Sequence, residues 1–121
     1  MRMIAVRGAT TVEANEAEAI LHATEELMGE LLTRNRLDPD ALVSCIFTLT
    51  HDLDAEFPAV AARRMGLSRV PLLCAREIPV PDSLPRVIRV LMHCYPPDNL
   101  EPQHVYLGAA RELRLDLEGA Q

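Results

Sequence analysis

The sequence predicts an α+β domain, a mixed β-sheet carrying one long helix. The chain has 121 residues, the size of a single compact domain. Hydrophobic residues make up 49% of it, enough for a closed core, yet no apolar run approaches the ~20 residues of a membrane helix. One segment repeats its apolar residues at helical spacing, and five others are short apolar runs bounded by Pro, Gly or Asp. Their order is β-α-β-α-β-β-β, which calls for a mixed sheet.

Residues 2–12, RMIAVRGATTV, alternate loosely and read as a strand. Asn15 followed by Glu18 has the spacing of a capping box. From there Ile20, Leu21, Ala23, Leu27, Leu31 and Leu32 fall near one stripe, so residues 16–36 form the long helix. Asp38-Pro39-Asp40 stops it in a tight turn. Residues 41–51, ALVSCIFTLTH, are the second strand. Its two parities are Leu42, Ser44, Ile46, Thr48 and Val43, Cys45, Phe47, Leu49, and both are largely apolar. Pro58 opens a short helix that Gly66 ends. Residues 70–78 are the third strand, 86–95 the fourth and 104–108 a short fifth, with Pro-rich connectors between them. AARELRLDL then forms a short helix or tail. One long helix and one short helix cannot cover both faces of five apolar strands, which implies self-association.

Composition narrows the function. Net charge is −6, against the basic face a nucleic-acid binder needs. All 12 basic residues are arginine, so Schiff-base and lysine-nucleophile chemistry are excluded. The 3 cysteines, Cys45, Cys74 and Cys94, form no CxxC pair, and the 4 histidines show no metal-ligand spacing. Neither a disulfide framework nor a metal site is expected. The N-terminal apolar stretch is too short and too alternating for a leader, so a cytoplasmic protein is expected, without membrane or nucleic-acid partners.

The chemistry-bearing residues are arginines in apolar strands. Arg7 lies in IAVRGATT, Arg89 in VIRVLMH and Arg114 in ELRLDL. A guanidinium cannot shed its proton, so each one reaches solvent, pairs with a carboxylate or binds an incoming anion. Glu77, in LLCAREIPV, is the acidic counterpart, with Arg76 or Arg89 as its internal partner or a substrate hydroxyl as its external one. Strict alternation puts Cys74 and Glu77 on opposite faces, so a shared site needs a bulge or a strand end. Cys74 reads as a small buried thiol rather than a nucleophile. Tyr106 offers a phenol for packing or for a ligand. Such an inventory lacks a nucleophile–base pair. It suits a small dianion and a reaction driven by positioning and charge stabilisation.

Five stretches, in order, resemble the small AroH-type chorismate mutases: RGATTV at 7–12, THDL–AEFPA–AARR at 50–64, VP..C..E at 70–77, L..VIRV at 84–90 and HVYL…LRLDL at 104–117. The resemblance spans the chain almost end to end, as a single domain of residues 1–121 with a mobile tail from about residue 113. It implies a homotrimer whose sheets pack into a pseudo α/β-barrel, with sites in the clefts between subunits. It implies an isomerase that rearranges chorismate to prephenate without a cofactor, in phenylalanine and tyrosine synthesis. Carried over, Arg89 would face the ether oxygen of the breaking bond and Arg7 would clamp a carboxylate. Tyr106 would bond a carboxylate, and Glu77 would accept from the ring hydroxyl beside Cys74. Backbone groups of Leu73, Cys74, Ala75 and Arg76 would line the wall. Phe57, Ala59 and Arg63 would lie at the mouth, and Leu113 and Arg114 in the closing tail. This sequence departs from a well-known relative at Val60, which replaces lysine, and at Leu115, which replaces proline. The stretch between Arg64 and Val70 is one residue shorter. The competing reading is a non-enzymatic trimeric module that binds a small anionic metabolite; a trimeric imine hydrolase shares the size but none of its motifs are present.

Overall fold

The computed structural model describes residues 2–97 and 99–113. It contains β1 (Ile4–Thr11), α1 (Ala17–Arg34), β2 (Leu42–Leu49), α2 (Pro58–Arg64), β3 (Leu72–Arg76), β4 (Val87–Cys94) and β5 (Val105–Tyr106). The strands form one mixed sheet in the order β3-β2-β4-β1-β5. Strand β4 runs antiparallel to both β1 and β2, while β3 and β5 pair parallel to β2 and β1. The α+β architecture is the one read from the sequence, with strand ends trimmed by a residue or two. Residues 114–121, including Arg114, lie outside the described residues.

Both helices sit on the same side of the sheet. Helix α1 packs on β1 and β5, α2 packs near β3, and the helices touch each other. The core between them takes Leu27, Met28 and Leu31 from α1, Val6 from β1, Cys45 and Phe47 from β2, and Val90, Met92 and Cys94 from β4. Each such fully buried large side chain contributes ~1.5–3 kcal/mol by its removal from water. Gly8 makes the close approach of α1 possible, because a Cβ there would lie 2.9 Å from Leu31 Cδ1 and 3.0 Å from Leu27 Cδ1. Of the predicted helical stripe, Ala23 and Leu32 are only half-buried, and Thr24 and Met28 take their places in the core. Thr24 tolerates burial because its hydroxyl donates to the Ile20 carbonyl at 2.7 Å.

Two local expectations are corrected. Asn15 does not cap α1. Its Oδ1 accepts from the Asp54 and Ala55 amides at 3.0 and 3.1 Å, and its Nδ2 donates to Asp54 at 2.8 Å, so the loop after β2 has claimed it. The N-cap is Glu16, in extended conformation and without a side-chain cap bond. The parities of β2 also change along its length. A register shift between Leu42 and Ser44 turns Leu42 to the buried side with Cys45, Phe47 and Leu49, and leaves Val43 exposed. Gly66, at φ +90, ends the α2 segment as the sequence indicated.

Among the described residues no helix covers the opposite face of the sheet. Arg7 of β1, Ile46 and Thr48 of β2, Arg89 and Leu91 of β4, and Tyr106 of β5 all point there, each only partly buried. Leu73 of β3, paired with Ile46, is 61% exposed on the same side. This half-dressed face positions the site.

Candidate active site

Strand register assembles the site on the open face. Ala9 pairs with Arg89 on one flank and Tyr106 on the other, and Arg89 in turn pairs with Thr48. Tyr106, Ala9, Arg89 and Thr48 therefore form one row across four strands. Arg7 stands one step along β1, opposite Leu91, in the row that also holds Ile46. The small Ala9 leaves space between the phenol and the guanidinium. Here lies a cavity of about 260 Å³, lined by Arg7, Ala9, Ile46, Thr48, Arg89, Leu91 and Tyr106.

Glu77 reaches this row from the sheet edge. Alternation along β3 carries on past its end at Arg76: Leu73, Ala75 and Glu77 share the open face while Cys74 turns to the core, and the Glu77 amide donates to the Leu49 carbonyl at 3.0 Å. Its Oε2 accepts from the Thr48 hydroxyl at 2.7 Å and lies 3.1 Å from Arg89 Nε. The pairing alternatives for Glu77 thus resolve toward Arg89. Arg76 is occupied elsewhere, its Nη1 donating to the Thr50 and Leu53 carbonyls at 2.8 and 3.0 Å. The Arg89–Glu77 contact is an ion pair without an aligned hydrogen bond. Arg89 Nε and Tyr106 Oη are buried polar atoms with no hydrogen-bond partner among the described residues. Such atoms are rare in folded proteins, where a buried donor left unmade costs ~1–3 kcal/mol. Both belong to the same row, and both are donors suited to an anion.

The β1 edge is pinned beside Arg7. The Arg7 amide donates to His104 Nδ1 at 3.0 Å, which puts the imidazole proton on Nε2. Partial burial, with help from the Arg7 charge, holds His104 below the usual imidazole range and keeps it neutral as that acceptor. The start of β4 is pinned by Asp52, whose carboxylate accepts from the Arg86 amide and the Thr50 hydroxyl just before the strand begins. Burial pushes the Asp52 carboxyl up, but those hydrogen bonds and nearby His51 outweigh it and leave it below the ordinary carboxylate range.

The remaining candidates lie apart from this cavity. Phe57, Cys74, Ala75 and Arg76 line a separate hollow of about 340 Å³ together with Leu49, Leu53 and residues 54–56. Phe57 is 65% exposed, and Leu73 lines neither hollow. Ala59, expected at the mouth, has its side chain buried in the core, because it falls on the inner side of α2. Arg63 is exposed on α2, and Leu113 is half-buried at the end of the described chain. The thiols do not form a nucleophile. Burial raises Cys45 to about 12, with Cys94 beside it also raised, and Cys74 leans against the core. Thr48, His104 and Asp52 are the site-building residues that sequence reasoning did not single out. Each had a signal that went unused: Thr48 shares the parity of Ile46 in the second strand, and Asp52 and His104 lie in the family-like stretches at 50–64 and 104–117.

A one-sided mixed sheet that sets two guanidiniums and a phenol without a partner among the described residues around one hollow, with a carboxylate held against one of the guanidiniums, defines a class of catalyst. Such an arrangement is able to hold a small anion and to act on it by orientation and charge. Among the described residues no three His, Cys, Asp or Glu side chains converge as a metal site requires. The particular family follows from sequence comparison. The family model described as chorismate mutase type I matches residues 3–117. The chain belongs to that family, whose members are isomerases. The AroH chorismate mutase of Thermus thermophilus is 52% identical over 120 residues, covering 96% of this chain and 97% of that protein. The AroH chorismate mutase of Bacillus subtilis (strain 168) is 38% identical over 121 residues, covering 97% and 94%. The solved chorismate mutase from Clostridium thermocellum superposes with a TM-score of 0.85 at 45% identity, covering 90% of this chain and 98% of that one.

Proposed function

We propose that this protein converts chorismate to prephenate by an intramolecular Claisen rearrangement, in the route to phenylalanine and tyrosine. The observation that carries the site assignment is the buried Tyr106 Oη, without a hydrogen-bond partner among the described residues, in the same hollow as the Arg89 and Arg7 guanidiniums. Chorismate carries two carboxylates, a ring hydroxyl and an enolpyruvyl ether. In the transition state the C–O bond breaks as a C–C bond forms, and negative charge grows on the ether oxygen. Arg89 is the cation for that oxygen. Because the charge is larger in the transition state than in the ground state, a guanidinium aimed there lowers the barrier. Arg7 and Tyr106 hold carboxylates, which keeps the flexible arm folded over the ring. Glu77 Oε1 accepts from the ring hydroxyl, while Oε2 stays with Thr48 and Arg89.

A hollow of about 260 Å³ in an open sheet face is small for a complete pocket, since ligand sites usually enclose ~300–1,000 Å³. The second wall comes from a neighbouring copy in a homotrimer, with the Phe57 side of one protomer facing the Arg7–Arg89–Tyr106 row of the next. The exposed apolar residues Phe57, Leu73 and Ile78 support this reading, because a lone chain gains nothing by presenting them to water. Among the described residues no helix is long and apolar enough to cross a membrane; the reaction, on this reading, takes place in the cytoplasm.

The test is incubation of the purified protein with chorismate and no added metal or cofactor. Chorismate should be consumed and prephenate formed in equal amount, and the active species should sediment as a trimer. Chorismate consumption no faster than in buffer refutes the activity. Full turnover by a stable monomer refutes the shared site.

A further inference from the structure

We infer that Thr48 is a positioning residue for the rearrangement, holding the Glu77 carboxylate against Arg89 so that the guanidinium is aimed before substrate arrives. The inference rests on the site reading above, in which Arg89 meets the ether oxygen.

The geometry of the sheet creates the need. Glu77 follows the edge strand β3, and Arg89 is on β4, with β2 between them. Neighbouring strands stand ~4.8 Å apart, so the carboxylate must cross roughly two spacings to reach its partner. Glu77 lies past the end of β3, so no strand neighbour fixes its side chain from outside. Thr48 stands on the intervening strand, in register with Arg89. Its hydroxyl makes a 2.7 Å bond to Glu77 Oε2, the oxygen that also lies 3.1 Å from Arg89 Nε. Since the Arg89 contact is not an aligned hydrogen bond, the Thr48 hydroxyl is the aligned side-chain donor to this carboxylate among the described residues. One oxygen is thereby shared between a hydroxyl and a guanidinium, and the other is left for substrate.

The Thr48 hydroxyl need not touch the reacting atoms for this. It limits the angles at which Glu77 meets Arg89, and Arg89 carries the effect to the substrate. Without the hydroxyl, Glu77 can swing to solvent around the open sheet edge, and Arg89 loses the partner that sets its direction. A misplacement of about 1 Å in such a group costs ~10²-fold in rate.

The experiment compares Thr48→Val, Thr48→Ser and Arg89→Ala alone, and Thr48→Val combined with Arg89→Ala, measuring kcat and KM for chorismate and the urea midpoint of each. Thr48→Val keeps the shape but loses the donor. It should lower kcat by roughly 10–100-fold with a smaller change in KM. Thr48→Ser should recover most of that loss. In the Arg89→Ala background Thr48→Val should lower the rate by clearly less than it does in the wild type, because the guanidinium it aims is gone and only the Glu77 bond to the ring hydroxyl is left to disturb. Wild-type kcat in Thr48→Val, failure of Thr48→Ser to recover the rate, or a full additional loss in the Arg89→Ala background each overturns the inference. Should Arg89→Ala itself turn over normally, the site reading fails instead, so the two failures are distinct.

Discussion

Replacing Arg89 separates catalysis from stability, because the residue serves both unequally. Its side chain is 36% exposed and faces a Glu77 side chain that is 15% exposed. Breaking a wholly buried ion pair costs ~3–5 kcal/mol. Here more than a third of the guanidinium meets solvent, and Glu77 retains its bond from Thr48. The stability loss in Arg89→Ala should therefore fall to about 1 kcal/mol, the range of solvent-screened pairs. The rate should fall much further. Removing one donor aimed at developing negative charge costs ~2.7–4 kcal/mol, or ~10²–10³ in kcat. Arg89→Lys should recover only part of this, because an ammonium is a single point of charge and cannot face Glu77 and the ether oxygen together as a fork does. Initial rates of chorismate consumption over a range of substrate give kcat and KM, and urea titration gives stability. Near-normal kcat in Arg89→Ala would refute the electrostatic assignment. A stability loss matching the rate loss would show that the variant is simply unfolding.

Three further outcomes follow from the scaffold. Gly8→Ala should destabilise by ~1–3 kcal/mol, read as a lower urea midpoint with unchanged slope, since the added methyl meets Leu31, Leu27 and Val90 at 2.9–3.2 Å inside the closed core. Asp52→Ala should cost about 1 kcal/mol at neutral pH by stranding the Arg86 amide and the Thr50 hydroxyl. Because the native Asp52 carboxyl lies below its ordinary value, its stabilisation is complete above pH ~3.9 and is lost as pH falls through the native value, so wild type and variant should converge in acid. His104 behaves alike in direction: its native value lies below the unfolded ~6.5, so the unfolded chain binds the proton first and stability should decline as pH drops below that point. His104→Gln should flatten this decline in urea titrations run at neutral and mildly acidic pH, and an unchanged slope would contradict the assignment of the Arg7 amide to a neutral imidazole.

Much of the fold was legible because it is written in short-range patterns. The period of Leu27, Leu31 and their neighbours marks a helix wherever that helix packs, and the apolar runs around Phe47 and Val90 mark strands by propensity alone. The shortage of helical cover could also be foreseen, since it follows from counting elements. Asn15 shows the limit. Its spacing to Glu18 satisfied the capping pattern, but Asp54 and Ala55, some 40 residues away, compete for the same oxygen and win it. Alternation, by contrast, held: it parted Cys74, which packs toward the core, from Glu77, which meets Thr48 and Arg89 on the open face.

The sequence by itself determined the inventory: an acidic chain with arginine as its only strong cation, placed in apolar strands beside one suitably located glutamate. Only the tertiary structure decided that Glu77 meets Arg89 and not Arg76, that Thr48 lies between them, and that Tyr106 and Arg89 share one row with Ala9. The reason is physical. Helix and strand propensities are set by interactions over a few residues, whereas strand order and register are set by which distant surfaces bury together. A site assembled across four strands exists only once that register is chosen.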